Sequence, residues 1–159
     1  MLNITKKKIH YITLFFFITF ILYCFFSLND KHKTIKIKNH NIQLKRQVDN
    51  HFRIKGKINQ VPVIFLLDTG AGTICMSPLI AKMANLKQID SITLSTANGN
   101  VTGFTVFIKQ IRLGDIYVKN IKGVVSPGMT DHEVLLGQNI TKFFEMRQIG
   151  DTISFNISK

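Results

Sequence analysis

Apolar and polar residues alternate over much of the chain after residue 40, in short runs that are broken by turn residues. Ile42 and Leu44 alternate with polar neighbours in this way, and so do Phe52 and Ile54. A period of two places one row of side chains on each face of a strand. Repeated short runs of this kind predict an all-β domain over residues 41–159.

One run departs from the alternation. Val61 to Leu67 is almost wholly apolar and leads directly into Asp68, which predicts a strand that is buried on both faces. Further on, Ser77-Pro78 places a favoured N-cap before a residue suited to the first helical position, so a short helix is predicted there. Its predicted packing face follows helical spacing: Leu79, Ile80, Met83 and Leu86.

Turn residues predict the hairpins of the second half. Asn98-Gly99 separates β-rich runs at 92–96 and 101–108, and Asn-Gly is a strong hairpin signal because both central residues of a type I′ turn have positive φ. Gly114-Asp115 predicts another turn. Asn139 is expected to cap a second short helix that ends near Phe144. The remaining predicted strands are 108–113, 116–118, 121–125, 134–136 and 152–157.

The N-terminal part has a different pattern. Residues 11–28 form an uncharged apolar run that would extend about 27 Å as a helix, close to the thickness of a bilayer core. We expect a transmembrane anchor here, after a basic tail at 1–10 and before a polar tether at 29–40. A cleaved signal peptide and a buried core helix are the alternatives. The run has no small-residue cleavage pattern and is longer than a core helix needs.

The charge distribution supports a membrane rather than a nucleic acid as the partner of the basic residues. The net charge is +12, and residues 1–60, with twelve Lys/Arg and two Asp/Glu, account for +10 of it. Basic residues that flank an apolar segment favour a membrane surface, and no nucleic-acid partner is expected. Lysines on both sides of the segment leave the positive-inside count nearly balanced. The very short leading tail favours an inside N-terminus. The domain would then lie outside the cytoplasm, on the periplasmic side of the inner membrane.

Cysteine and histidine residues predict no further chemistry. Cys24 lies inside the apolar segment, so it forms no disulfide framework with Cys75. Cys75 is expected to be a buried core residue. Scattered histidines give no metal-ligand spacing, and no metal or cofactor is expected.

Asp68-Thr69-Gly70 is the candidate for catalysis. Two carboxyls that share one proton can hydrolyse a peptide bond, because one takes a proton from water while the other gives one to the substrate. Gly70 lets the backbone turn sharply after the strand. The tripeptide alone is common by chance, and its context makes it informative. The other aspartates are not followed by Thr/Ser-Gly, so one chain supplies one such carboxyl.

The ordered set of features resembles the retropepsin-like aspartic proteases, and most closely their bacterial, membrane-anchored, single-domain branch. The set comprises the apolar run into Asp68-Thr69-Gly70-Ala71, the Asn98-Gly99 hairpin, and Leu135-Leu136-Gly137 before a short helix. The resemblance covers about residues 41–157. It implies a small closed β-barrel with one or two short helices, which works as a homodimer on peptide or protein substrates.

The resemblance also implies roles for individual residues. Asp68 would be catalytic, with Gly70 and Ala71 supporting its loop, and Thr69 would brace the two active-site loops across the dimer. A flap over residues 94–106 would close on substrate. Its contacting residues would be Ala97, Asn98 and Gly99. Leu135, Leu136 and Gly137 would pack beneath the catalytic loop.

Two positions depart from the family pattern. Position 72 is Gly, where the bacterial branch usually has a hydroxyl residue and the viral branch an acid, and the segment Gln138 to Thr141 also differs. Two other functions therefore stay open. One is an inactive retropepsin-like barrel that serves as a binding or assembly module. The other is a small membrane protein whose outer β-domain binds a ligand without using Asp68.

Overall fold

The computed structural model describes residues 17–21, 35–37, 41–96, 99–130 and 132–157. In chain order the strands are β1 (Ile35–Ile37), β2 (Asn41–Lys45), β3 (Arg53–Ile58), β4 (Val61–Leu67), β5 (Cys75–Met76), β6 (Gln88–Thr96), β7 (Gly99–Leu113), β8 (Ile116–Val125), β9 (Glu133–Leu136), β10 (Phe144–Ile149) and β11 (Thr152–Ile157). Two short helices interrupt them, α1 (Pro78–Met83) and α2 (Gln138–Thr141). The prediction of an all-β domain with two short helices is confirmed.

Six strands close into a barrel. The pairing runs from β8 through β5, β9, β4, β3 and β7, and β7 pairs with β8 to complete the ring. β4 pairs with β9 in parallel, as β5 does with β8, and the pairs of β3, β7 and β8 are antiparallel. Closure leaves no open edge within the ring. The predicted closed barrel is therefore confirmed.

Gly56 marks the corner where β3 passes between two neighbours. It pairs with Val63 on β4 and with Leu113 on β7. A Cβ at this position would lie 2.1 Å from the carbonyl oxygen of Arg112 and 2.7 Å from the ring of Phe65. The backbones approach so closely here that only glycine fits.

The strand that leads to Asp68 is buried on one face only. Val63 and Phe65 are buried, whereas Ile64 is 38% exposed and Pro62 is exposed. The prediction of burial on both faces was wrong, because one face of a barrel strand points away from the core. The buried face continues onto the neighbouring strand β9, where Val134 pairs with Phe65 and both residues are fully buried.

The predicted start of α1 is confirmed. The hydroxyl oxygen of Ser77 accepts a hydrogen bond from the N–H of Ile80 at 3.4 Å, and Pro78 occupies the first turn. The predicted packing face is only partly correct. Ile80 is buried and Leu86 packs against the core, but Leu79 and Met83 are 46% and 55% exposed. The buried residues of this six-residue helix are Ile80 and the small Ala81 next to it.

The strands of the second half are longer and fewer than predicted. β7 runs unbroken through Leu113, and β8 includes both 116–118 and 121–125. The break expected near residue 120 is an irregularity within β8, where Asn120 has a φ of 58°. The β6–β7 hairpin is confirmed. Its register pairs Thr96 with Gly99, so Gly99 is the first residue of β7 and not part of the turn that Asn98-Gly99 predicted.

Three strands form a second sheet in the order β10, β11, β2, with both pairs antiparallel. β10 was not predicted. α2 ends at Thr141, so Phe144 begins this strand instead of ending a helix. The rings of Phe144 and Phe155 meet edge to face at 5.9 Å and join the hydrophobic core. The last predicted strand, 152–157, is confirmed as β11.

Arg53 connects β3 to the start of β9. Its guanidinium contacts Glu133 at 2.5 Å and Asp49 at 2.6 Å. These hydrogen bonds raise the pKa of Arg53, and the bond from Arg53 lowers the pKa of Asp49. The Arg53–Glu133 ion pair joins the start of β3 to the start of β9 across β4, and the other end of β9 lies next to the loop that follows Asp68.

Little of the N-terminal third is described. Residues 17–21 are helical, while residues 1–16 and 22–34 lie outside the described part, and so do most of the predicted anchor and tether. Within the described residues, no helix is long and apolar enough to cross a membrane. β1 falls inside the segment predicted as a tether, and it pairs with β8 through Ile35 opposite Val118.

Candidate active site

Asp68 lies where β4 leaves the barrel, at the start of a tight loop that leads to β5. Its N–H donates to the carbonyl of Leu136 on β9 at 3.3 Å, which continues the β4–β9 pairing by one residue. Its side-chain atom Oδ1 accepts from the N–H groups of Gly70 at 2.9 Å and Ala71 at 3.2 Å. The carboxyl group is therefore oriented by its own loop.

The second carboxyl oxygen is available for chemistry. Asp68 is half-buried, and within the described part of the chain Oδ2 has no hydrogen-bond partner, whereas Oδ1 has two. One oxygen is thus fixed by the loop, while the other can accept a hydrogen bond from a water or from a second carboxyl.

Gly137 allows the loop to lie against β9 and α2. A Cβ at this position would approach the carbonyl oxygen of Thr73 to 2.4 Å and that of Ala71 to 2.7 Å. These are backbone atoms, which cannot rotate away as a side chain can. The predicted position of Gly137 beneath the catalytic loop agrees with these distances. Leu136 is fully buried next to it.

The start of α2 holds the loop through two amide residues. The backbone N–H groups of Gln138 and Asn139 donate to the carbonyls of Ala71 at 2.8 Å and Gly72 at 3.1 Å. The side chain of Gln138 donates to the carbonyl of Thr69 at 2.9 Å. The side-chain oxygen of Asn139 accepts a hydrogen bond from the N–H of Ile74 at 2.9 Å.

The predicted role of Asn139 was wrong. Gly137 is the N-cap of α2, and it makes no side-chain cap hydrogen bond. The side chain of Asn139 instead joins the catalytic loop to β8, because its amide also donates to the carbonyl of Lys122 at 2.8 Å. The signal in the sequence was two adjacent amides directly after Leu135-Leu136-Gly137. Local capping rules alone do not show which backbone groups such side chains reach.

A cleft of about 560 Å³ opens between the catalytic loop and the β6–β7 hairpin. The loop contributes Asp68, and the hairpin contributes Leu94 and Val101, which are paired across its two strands. The other described residues that line it are Gly70, Ala71, Gly72, Thr73, Cys75, Ser95, Thr96, Val124, Ser126, Gly128, Met129 and Leu135. The hairpin and Asp68 thus line the same cleft.

The structure brings to this cleft half of the eight predicted site residues that it describes. Asp68, Gly70, Ala71 and Leu135 line it directly. Thr69 is exposed and does not line the cleft. Gly99 begins β7 with a φ of 104°, which suits glycine at the end of the hairpin loop. The other two predicted flap residues, Ala97 and Asn98, lie outside the described residues.

Cys75 differs from its prediction. It is half-buried and lines the cleft instead of lying in the core. Burial raises the pKa of its thiol, so the thiol is predominantly protonated at neutral pH. Among the described residues that line the cleft, Asp68 is the one with a carboxyl group. Within the described part of the chain, no cluster of three or more His, Cys, Asp or Glu side chains could hold a metal ion.

The comparison with protein families decides to which family this chain belongs. The family described as "gag-polyprotein putative aspartyl protease" matches residues 54–142, which is more than half of the chain. This chain belongs to that family of retropepsin-like aspartic proteases. The matched segment begins at the second residue of β3 and ends just after α2, and so it contains nearly all of the barrel ring, Asp68, the β6–β7 hairpin and Gly137.

A solved structure supports the assignment of the fold. The retropepsin-like aspartic protease from Rickettsia conorii is 25% identical to this chain, with a TM-score of 0.62. The match covers 79% of this chain and 94% of the Rickettsia protein. The similarity therefore includes more than the barrel ring.

Two curated relatives are uncharacterised proteins. One, from Rickettsia prowazekii, is 32% identical over 107 residues, which are 65% of this chain and 46% of the relative. The other, encoded in the 5′ region of cobV in a Sinorhizobium species, is 28% identical over 113 residues, 68% of this chain and 48% of the relative. The chain thus spans about half the length of the curated relatives that it matches.

Proposed function

We propose that this retropepsin-like chain is an aspartic endopeptidase that hydrolyses peptide bonds between two Asp68 carboxyls of a homodimer. The observation that carries the proposal is the geometry of Asp68. Its Oδ1 is held by two backbone N–H groups, and the residue lines a cleft together with the β6–β7 hairpin. Family membership supports the reaction class.

The proposed reaction needs no covalent intermediate. The ionised Asp68 carboxylate takes a proton from a water molecule, and the water oxygen forms a bond to the peptide carbonyl carbon. The protonated carboxyl of the second subunit gives its proton to the carbonyl oxygen. When the tetrahedral intermediate collapses, the C–N bond breaks and the amine leaves with a proton from the first carboxyl. The second carboxyl regains the hydroxyl proton, so the pair again holds one proton between two groups.

The homodimer follows from the number of motifs. One chain carries one Asp-Thr-Gly sequence, and the reaction needs two carboxyls that can share a proton. A closed two-fold assembly places the same residue of both subunits next to its axis. The exposed position of Thr69, directly after Asp68, is consistent with a contact between the two loops there.

The open cleft suits an extended peptide. It lies between the loop of residues 68–74 and the β6–β7 hairpin, and its described lining combines small residues with the apolar side chains of Leu94, Val101 and Met129. A hairpin above an extended chain can offer backbone groups to it, which is a common way to bind peptides. The substrate class that we propose is therefore a peptide or an exposed segment of a protein.

Purified protein tests this activity with a mixed peptide library at acidic to neutral pH. We expect cleavage that a statine-type inhibitor suppresses, because such an inhibitor mimics the tetrahedral intermediate and binds more tightly than substrate. A protein that forms dimers but cleaves no peptide and binds no such inhibitor would instead be a binding or assembly module. Gly72 is the feature that favours this second function. It leaves open space in the cleft, since a Cβ there would meet nothing within 4 Å.

We also propose that residues 11–28 anchor the protein in a membrane, with the protease domain on the periplasmic side. The uncharged apolar run and its flanking lysines support this. A shared membrane would raise the effective concentration of two subunits and favour a weak dimer. Deletion of residues 11–28 is expected to move the protein from the membrane fraction to the soluble fraction. A full-length chain that is soluble without detergent would contradict the proposal.

A further inference from the structure

The catalytic loop is a surface segment with little core of its own. Thr69, Gly70 and Gly72 are exposed, and the two glycines have no side chains to pack. A loop with few buried contacts opens easily unless its backbone is held by other elements. The hydrogen bonds from α2 therefore contribute to its shape together with the bonds that the loop makes to Asp68.

Gln138 and Asn139 hold this loop at successive points. Gln138 reaches Thr69 with its side-chain amide and Ala71 with its backbone N–H. Asn139 reaches Gly72 with its backbone N–H and Ile74 with its side chain. The first of these bonds differs from the others, because it fixes the residue directly after Asp68 and comes from an exposed side chain.

We propose that Gln138 is a positioning residue for Asp68. Its bond to the Thr69 carbonyl fixes the peptide plane between Thr69 and Gly70. That peptide plane carries the Gly70 N–H, which donates to Oδ1 of Asp68 at 2.9 Å. The chain of contacts runs from Gln138 through one peptide group to the carboxyl. Gln138 thus sets the direction in which Oδ2 faces the cleft and the second subunit.

An amide is the side chain that this position needs. The Thr69 carbonyl is an acceptor, so its partner must donate a hydrogen bond. An ionised Glu at position 138 would place a second acceptor there and push the carbonyl away. A protonated Glu could donate again, which makes the identity of this side chain testable by pH.

The inference rests on the proposed function, and the test separates the two. Three proteins are compared in peptide cleavage: wild type, Gln138→Ala and Gln138→Glu. Gln148→Ala and Gln148→Glu are matched controls, because Gln148 is an exposed glutamine on β10 whose amide donates to Gly150 in its own turn at 3.4 Å. Amide hydrogen exchange of Gly70 and Ala71 is measured in all five proteins, so that loop order is followed independently of activity.

Gln138→Ala is expected to lower kcat about tenfold, with KM changed by less than about twofold, since misplacement of a reacting group lowers the rate more than substrate binding. For Gln138→Glu, the ratio of its kcat to that of wild type should be near one at about pH 3.5. It should fall about tenfold by about pH 6 as the glutamate ionises. Exchange at Gly70 should be faster in Gln138→Ala, and the controls should match wild type.

Wild-type kinetics and unchanged Gly70 exchange in both Gln138 variants would overturn the inference while leaving the protease assignment intact. A pH-independent loss in Gln138→Glu would also overturn it, since that loss would indicate a steric effect and not the hydrogen bond. If wild type cleaves no peptide, the proposed function fails. The inference then stands or falls on whether Gln138→Ala accelerates Gly70 exchange relative to Gln148→Ala.

Discussion

Replacement of Asp68 by Asn is expected to lower kcat for peptide cleavage by at least about a thousandfold. An amide can neither take a proton from water nor hold the proton that the pair of carboxyls shares. Every dimer of the variant loses both carboxyls at once. The measurement is the initial rate of cleavage of a peptide that wild type hydrolyses, between acidic and neutral pH.

The same substitution should leave the fold unchanged, which makes the activity loss interpretable. The Oδ1 atom of Asn can still accept from the N–H groups of Gly70 and Ala71, which now bind the carboxyl at 2.9 and 3.2 Å. The melting temperature is therefore expected to change little. Asp151→Asn is the matched control, because Asp151 is an exposed aspartate that pairs with Arg46 at 3.2 Å. Undiminished cleavage by Asp68→Asn would contradict the assignment of the catalytic group.

Replacement of Gly137 by Ala is expected to destabilise the fold and abolish most of the activity. The added methyl group would meet two backbone carbonyl oxygens of the catalytic loop, at 2.4 and 2.7 Å. Forcing atoms into a packed site costs about 1–3 kcal/mol, and any relief must displace the loop that carries Asp68. Chemical denaturation with a fluorescence or circular dichroism signal measures the change in the free energy of unfolding.

Gly72→Ala is the control for this experiment. Gly72 lies in the same loop, but a Cβ there would meet nothing within 4 Å. Its free energy of unfolding should change by less than about 0.5 kcal/mol. Equal stability of Gly137→Ala and Gly72→Ala would contradict a close contact between Gly137 and the loop.

The local patterns predicted most of the barrel because its strands are bounded by strong turn signals. The predicted run from Val61 to Leu67 has the bounds of β4, and Gly114-Asp115 lies between β7 and β8. The burial of β4 was predicted wrongly. An apolar run does not show which of its faces will be covered, and the exposure of Ile64 depends on the closure of the ring.

The elements that were missed depend on contacts between distant parts of the chain. β10 has a buried Phe144 followed by five exposed residues, so it has no alternating pattern. It is a strand because β11 pairs with it. β1 is likewise defined by its pairing with β8, in a segment whose composition indicated a tether.

The candidate site likewise contains residues that the sequence predicted and residues that it did not. Asp68, its loop and the flap could be predicted, because a short motif follows an apolar strand and a turn signal marks the hairpin. Gln138 and Cys75 could not be placed. Gln138 reaches Thr69 across 69 residues of sequence, and Cys75 lines the cleft because β5 lies between β8 and β9. Such positions follow from the closed barrel and not from local sequence.

The most direct test of a site shared by two subunits is the activity of mixed dimers. Wild-type and Asp68→Asn chains are unfolded together in equal amounts and refolded, so that they pair at random. If each site needs both carboxyls, only dimers of two wild-type chains are active. The mixture should then retain about one quarter of the activity that the same total amount of chain has when all of it is refolded wild type. Retention of about one half would mean that each chain works alone, and it would contradict the shared site.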